Sequence, residues 1–441
     1  MLQKLLRPTL VKRFFECVRD EGWGAALRKT RTYGGIVLRN AGRSALNFGH
    51  RGPVNSDHKY YNKIWRTLAQ ENAFHVTSAS NALRKGRQIA IVADMNLPQC
   101  TKYRVEQLAE FWRSRGVEVN YSHYLDVPRS VNIMQNATHL VLYRIQNMPT
   151  CSMYMYEARR LGLPVLYDID DPLFSVSAYE TYENMTALDP KLKDHFLSEA
   201  PKYLDVMNSS DVISVSTPGM VDHAKLYTRR PVYMRRNFAD QATLSAGAAT
   251  LAATPEKGSN DGAFRVAFAS GSQGHEVDFA QIEQQVIGFL EGSRDRRLTI
   301  LGHFDLTRLP EGLRDRVDAH KFTDYAGYLE TLATVDCAVM PLTDDIFNRC
   351  KSGVRVIDAS SVAVPSIVGP VGDMAQMVRH GETGFIAETP QDWTDALTQL
   401  ANDKAAANRM GQLARQDLET RWSGSDAAHI IDPELLAWVE E

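Results

Sequence analysis

The chain of 441 residues is longer than one ordinary hydrophobic core supports and fits two domains of common size plus an extension. Hydrophobic residues make up 44% and charged residues 23%, the balance of a soluble globular protein rather than a disordered one. A net charge of −3 leaves no overall electrostatic footprint for nucleic acid, so no nucleic-acid partner is expected.

That near-balance conceals an asymmetry. Residues 1–51 carry eleven Lys and Arg against three Asp and Glu, a net charge of +8, so the remainder is acidic. Five scattered cysteines (Cys17, Cys100, Cys151, Cys337 and Cys350) form no C-x-x-C pair and suggest neither a disulfide framework nor a zinc cluster. A reducing compartment, the cytoplasm, is the natural expectation. No apolar run approaches the roughly 20 residues needed to cross a bilayer. The start MLQKLLRPTLVKRFF lacks a long apolar stretch and a small-residue cleavage site, so no secretory signal is expected.

In chain order, residues 1–87 read as a basic, partly helical N-terminal extension. Leu2, Leu5, Leu6 and Leu10, then Phe14, Phe15 and Val18, recur at helical spacing among Lys4, Arg7, Lys12 and Arg13, with Pro8 in or before a first turn. Such a helix either rests peripherally on an anionic membrane surface at its inner face or packs on the first domain. From residue 88 short apolar runs alternate with helical stretches. QIAIVAD (88–94), VEVNYSH (117–123), HLVLYRI (139–145), PVLYDID (164–170) and DVISVST (211–217) read as strands. The alternation predicts a parallel sheet covered on both faces, a Rossmann-like domain over 88–240. Residues 241–263, poor in large apolar side chains, read as a linker. The alternation then restarts with FRVAFAS (264–270), LTILGHF (298–304), VDCAVMP (335–341) and PSIVG (365–369), predicting a second Rossmann-like domain over 264–425 and a tail over 426–441. The fold class expected is α/β, two doubly wound domains facing a cleft between the carboxyl ends of their strands, where ligands of such sheets bind.

The segment FNRCKSGVRVIDASSVAVPSIVGPVGDMAQMVRHGETGFIAE (347–388) carries the most chemistry. Lys351, Ser352 and Gly353 form a turn opening a helix, with Arg355 one turn in. A helix N-terminus with a hydroxyl and two cations suits a diphosphate. Asp358 lies on the same face about two turns along, where a carboxylate can accept from vicinal ribose hydroxyls. GPVGD, with Gly372, is a glycine-bearing turn for the sugar end, and HGETGF a tight turn before a short strand.

This segment resembles family 4 of the retaining glycosyltransferases, in its variant with a FN-x-x-KS-x-x-K-x-x-E pattern. The resemblance covers roughly residues 88–425 and implies a GT-B enzyme with a nucleotide-diphosphate sugar as co-substrate, no other cofactor and no metal. It implies a ribose-binding carboxylate at Asp358, which stands where the family has Glu. Cys350 replaces the first Glu of the usual Glu-x(7)-Glu pair.

After the first strand of the second domain, Ser270, Gly271, Ser272 and Gly274 let a phosphate approach the backbone. His275 and Gln273 are the substantial polar groups there, so Lys351 and Arg355 supply most of the countercharge. A plain strand–helix turn is the other reading. In the first domain the resemblance implies acceptor or donor contacts from Tyr103 and Arg104, which otherwise simply start a helix. YDIDDPLF (167–174) places Asp168, Asp170 and Asp171 just after a strand. A metal clamp or a turn cap is open on the residues alone, and the resemblance favours acceptor-binding or base-like roles, for Asp170 and Asp171 above all. Arg144 ends a strand and so faces the cleft. Arg229, Arg230, Arg235 and Arg236 form a basic cluster that is either a contact for an anionic acceptor or membrane, or a solvated patch.

The expected function is therefore transfer of a sugar from a nucleotide sugar to a glycan, lipid-linked or protein acceptor. A sugar-nucleotide epimerase of the same fold and a non-catalytic sugar-nucleotide-binding scaffold are the alternatives.

Overall fold

A computed structural model describes residues 86–254, 262–271, 274–321, 323–425 and 427–440, together with Lys63 and several positions from Phe14 to Arg31. The chain forms two compact units, Met1–Lys63 and Ile64–Glu441. In the first, Phe14, Phe15, Val18 and Arg19 are helical. Phe14 meets the Trp23 ring edge-on, with centroids 6.0 Å apart. Leu2, Leu5, Leu6, Pro8 and Leu10 lie outside the described residues. No described helix is long and apolar enough to cross a membrane.

The second unit holds two six-stranded parallel sheets. The first comprises β1 (Gln88–Ala93), β2 (Glu118–His123), β3 (His139–Tyr143), β4 (Val165–Ile169), β5 (Val212–Val215) and β6 (Val232–Met234), in the order β2-β1-β3-β4-β5-β6. β3, β4 and β5 are buried along their whole length, as central strands covered on both faces must be. The second comprises β7 (Phe264–Gly271), β8 (Arg296–Gly302), β9 (Val317–His320), β10 (Cys337–Met340), β11 (Ser366–Val368) and β12 (Gly384–Ile386), in the order β12-β11-β10-β7-β8-β9. Counted from β7 this is the doubly wound order 3-2-1-4-5-6. Phe264, Val266 and Phe268 join one apolar cluster while Ala267 joins the cluster on the opposite face, the period-two signature of a strand buried on both sides. Each sheet has one point where the strand order reverses: between β1 and β3 in the first, and between β7 and β10 in the second.

Two segments differ from expectation. Residues 241–263 begin with a helix, Gln241–Ala253, capped by the Asp240 carboxylate, which accepts from Thr243 N at 2.7 Å. Its small residues are what let it pack. A Cβ on Gly247 would lie 2.2 Å from the Ser361 carbonyl oxygen, so only glycine permits this approach to the neighbouring helix Val354–Ser361. The tail is a core element of the first domain. Ile430, Ile431, Leu435 and Val439 join Ile89, Val141 and Leu166 in one cluster, each burial worth roughly 1.5–3 kcal/mol. Arg236 N donates to Ile430 O at 2.7 Å, and Met234 N to the Asp432 carboxylate at 2.7 Å, tying the tail to β6.

Candidate active site

The first domain presents its charged groups at the β1/β3 reversal. Arg144, the residue after β3, holds φ at +53°, a left-handed conformation that costs a non-glycine residue roughly 1–2 kcal/mol. That backbone turn sets its guanidinium 3.4 Å from Asp170 Oδ1, 4.0 Å from Asp171 Oδ2 and 3.3 Å from Cys100 Sγ. Burial pulls the Arg144 pKa down, but Asp170 and its other neighbours outweigh it and hold the group well above its ordinary value. Asp170 and Asp171 follow β4, and Ser216 Oγ fixes their turn by donating to Asp170 O at 2.7 Å.

The second domain brings Lys351 to the same place. Its Nζ stands 3.4 Å from Asp171 Oδ1, across the cleft. It also lies over the Phe347 ring at 4.7 Å, and Phe347 stacks on Tyr182 of the first domain at 4.2 Å. Burial works to raise the Asp171 carboxyl, yet Lys351 and Arg144 hold it below the usual range, and Lys351 is held above its own. Arg355, half-buried in the first turn of Val354–Ser361, makes no ion pair with a described residue. No side chain caps this helix at Gly353, where a Cβ would collide with Met377 Sδ. The charges of Arg355 and Lys351 reach His275. Burial first, and Arg355 second, depress its pKa.

Asp358 is placed differently from a free ribose acceptor. It is buried, and its Oδ1 already accepts from Tyr103 Oη at 2.8 Å and Tyr325 Oη at 2.9 Å. Lys102 Nζ lies 3.6 Å from the Tyr325 ring centroid without a hydrogen-bond partner. Burial raises the Asp358 pKa, and Lys102 and the two hydroxyls counter that only in part.

Other expected site residues are committed elsewhere. Arg104 has no open face: it is fully buried and grips Asp168 through Nε at 2.8 Å and Nη2 at 2.6 Å. Its Nη1 donates to Arg235 O at 2.7 Å. The π-turn Thr101–Glu106 rotates it inward while Tyr103 faces the second domain. Arg235 is likewise buried, beside the same Asp168, and Arg236 makes two bonds to Asp373, so neither belongs to an exposed basic cluster. Ser270 is buried, its hydroxyl donating to Leu301 O at 3.2 Å. Ser352 Oγ accepts from Asn237 Nδ2 at 3.1 Å. Gly372, at φ +77°, packs beneath the carbonyls of Asn348 and Lys351, where a Cβ would come within 3.1 Å of both; it shapes the Lys351 turn from below. Gly271 ends β7 beside a register shift, and Ser272 and Gln273 lie outside the described residues. The three aspartates of this segment diverge: Asp168, within β4, onto Arg104, Asp170 onto Arg144 and Asp171 onto Lys351. Among the described residues no group of three or more His, Cys, Asp or Glu is arranged as a cation cage.

Several participants went unassigned from sequence. Asp278 receives His275 Nδ1 at 3.0 Å, a His-x-x-Asp spacing that one helical turn would have flagged. Asn348, the Asn of the FN-x-x-KS pattern, bonds Asp278 and Asp345. Tyr182, Asn184 and Tyr325 carry no local signal at all.

Two parallel doubly wound domains with charged groups gathered where their strand ends face each other define the GT-B fold. Residues 272–403 match the family described as Glycosyl transferases group 1. Over 144 residues the chain is 28% identical to the D-inositol 3-phosphate glycosyltransferase of Paenarthrobacter aurescens; the match spans 32% of this chain and about a third of that relative's length. The structure of Anabaena HepE in complex with UDP and glucose superposes with a TM-score of 0.50 at 13% identity, covering 80% of this chain and 99% of that one. WaaG, a glycosyltransferase involved in lipopolysaccharide biosynthesis, gives a TM-score of 0.50 at 9% identity, covering 76% and 95%.

Proposed function

We propose that this chain transfers a glycosyl group from a nucleotide-diphosphate sugar to a glycan, lipid-linked or protein acceptor, with retention at the anomeric carbon and no metal cofactor. One observation carries the reading: Lys351 of the second domain meets Asp171 of the first, which Arg144 also faces, where the two sets of strand ends face each other. The family match over 272–403 supports a donor site on that side, and the bound UDP of HepE supports a nucleotide sugar as its ligand.

In this reading Lys351, Arg355 and the uncapped helix N-terminus hold the diphosphate. As the bond from the anomeric carbon to the diphosphate oxygen breaks, the electron pair stays on that oxygen, and the cations oppose the growing charge. A cation about 4 Å away is worth roughly 4 kcal/mol at an effective dielectric of ~20, about a thousandfold in rate if realised only in the transition state. Asp171 is a poor proton acceptor because Lys351 and Arg144 stabilise its charge, so it orients the acceptor hydroxyl and tethers Lys351. Asp170 and Arg144 line the acceptor side. Closure over these groups excludes water and limits donor hydrolysis.

Calorimetric titration with UDP- and GDP-linked sugars tests the donor site. Lys351→Ala and Asp358→Ala should each weaken binding, and unchanged affinity in both variants would sink the assignment. The tyrosine-held Asp358 favours a second reading, a sugar-nucleotide-binding scaffold, which binding without turnover toward any acceptor would support. Conversion of donor alone to an epimer would instead make it an epimerase. The basic N-terminal segment, with Phe15, Trp23 and Leu27 exposed, supports work beside an anionic membrane. Binding to phosphatidylserine vesicles that fails to appear at low salt would remove that part of the proposal.

A further inference from the structure

One built group at this site has no part in the scheme above, the carboxylate of Asp278. It is fully buried and receives four donors. His275 Nδ1 at 3.0 Å and Asn184 Nδ2 at 2.8 Å reach Oδ2, while Thr343 N at 3.1 Å and Asn348 Nδ2 at 3.2 Å reach Oδ1. Burial alone would raise this carboxyl, yet the His275 and Asn184 bonds hold it below its ordinary range, so it is ionised. An ionised carboxylate only accepts, which places the ring proton of His275 on Nδ1. The 3.4 Å approach of Asn184 Nδ2 to Nδ1 is then two donors lying side by side on one oxygen, not a bond between them. Nε2 has no partner among the described residues.

The charged groups facing His275 are Asp278 on its own helix, Lys351 and Arg355 from the turn and helix of the diphosphate site, and Asp171 from the end of β4. The two cations and burial keep the ring neutral when nothing offsets them. Bringing an anion among Lys351, Arg355 and His275 reverses that balance.

We propose that Asp278 is the positioning residue for His275, and that His275 takes a proton on Nε2 when the diphosphate of a sugar nucleotide settles beside Lys351 and Arg355. The inference rests on the transferase reading of this site. The proton comes from solvent, Nδ1–H stays on Asp278, and Nε2–H becomes a third donor to the phosphates. No bond in the sugar nucleotide changes in this step. Asn184 belongs to the first domain, in the turn Glu183–Ala187, so the fourth donor reaches Asp278 only when the cleft is closed. Gly274, at φ +111°, makes that possible: a Cβ there would lie 3.1 Å from the Asn184 carbonyl oxygen.

The test is calorimetry with UDP-glucose and GDP-glucose, which carry no group titrating near neutrality, in buffers of different ionisation enthalpy. The wild-type protein should take up a fraction of a proton per site, with affinity rising as pH falls. His275→Gln should abolish the uptake, and Asp278→Asn should diminish it. Asn184→Ala should weaken binding about tenfold, the scale of one hydrogen bond to a charged group, with proton uptake retained. Thermal melts of each variant separate these effects from unfolding. Binding by the wild type with no buffer dependence, or uptake unchanged in His275→Gln, overturns the proposal and leaves the transferase reading standing. A wild type that binds neither sugar nucleotide overturns both.

Discussion

Tyr103 of the first domain donates its hydroxyl to Asp358 of the second at 2.8 Å, and Tyr325 donates to the same oxygen at 2.9 Å. Two hydroxyls on one carboxylate oxygen are what a ribose diol would offer, so these tyrosines compete with a nucleoside for Asp358. Tyr103→Phe removes one competitor at the cost of a hydrogen bond to a charged acceptor, on the order of 1.5–3 kcal/mol. The variant should therefore bind sugar nucleotides several-fold more tightly by calorimetry while melting at a lower temperature. Weaker binding in Tyr103→Phe would instead make the hydroxyl part of the nucleotide site.

The Lys351–Asp171 pair gives closure a pH dependence with a definite direction. The Asp171 carboxyl is depressed in the folded protein, so its stabilising contribution is fully present above the unfolded carboxylate value of about 3.9. It is lost as pH falls through the lower folded value. Melting curves of wild type and Asp171→Asn should therefore differ from pH 5 to 8 and draw together only as pH falls below about 3.9. Curves that stay apart in acid would mean that Asp171 acts through its shape and not its charge.

Arg104 illustrates a buried pair whose loss is structural. Both partners of the Arg104–Asp168 bridge are completely enclosed, and Ser214 Oγ adds a bond to the same carboxylate at 2.8 Å. Removing Arg104 leaves Asp168 only the longer pair with Arg235, at 3.6 Å, and losing one partner of a buried bridge typically costs about 3–5 kcal/mol. Arg104→Ala should lose about that much in urea denaturation. An intact denaturation midpoint with a change confined to the acceptor KM would restore an acceptor role for this residue.

Much of the architecture was legible in the sequence, because central parallel strands are largely apolar. Ile89–Ala93 and Val165–Ile169 are read directly as buried runs. β9 was not, since Val317–His320 is a half-exposed edge strand with one large aliphatic residue. The helix 241–253 escaped for the opposite reason: Ala, Gly and Thr pack it by close approach, without a stripe of large side chains. At the site, Lys351 and Arg355 follow from a turn opening a helix. The inward rotation of Arg104 depends on a π-turn that leaves no compositional trace. Asn184 and Asp278, 94 residues apart, meet only through the packing of one domain on the other, which no local pattern encodes.

The helix Pro218–Ala224 offers the sharpest test that the closed cleft is the working state. A Cβ on Gly219 would lie 2.2 Å from the Arg349 carbonyl oxygen across the cleft, and that oxygen belongs to backbone that cannot swing aside. Two residues earlier, Thr217 Oγ1 donates to Cys350 O at 3.0 Å, so this corner registers the first domain against the Lys351 turn. Alanine is favoured over glycine within a helix by about 0.8–1 kcal/mol. Any harm from Gly219→Ala must therefore come from the contact with Arg349 and not from the helix itself. The variant should keep its overall melting temperature within a few degrees, show a larger radius of gyration in small-angle scattering, and lose at least about tenfold in turnover, with hydrolysis of the donor rising relative to transfer. Unchanged scattering and turnover would show that the contact at Gly219 does not govern closure.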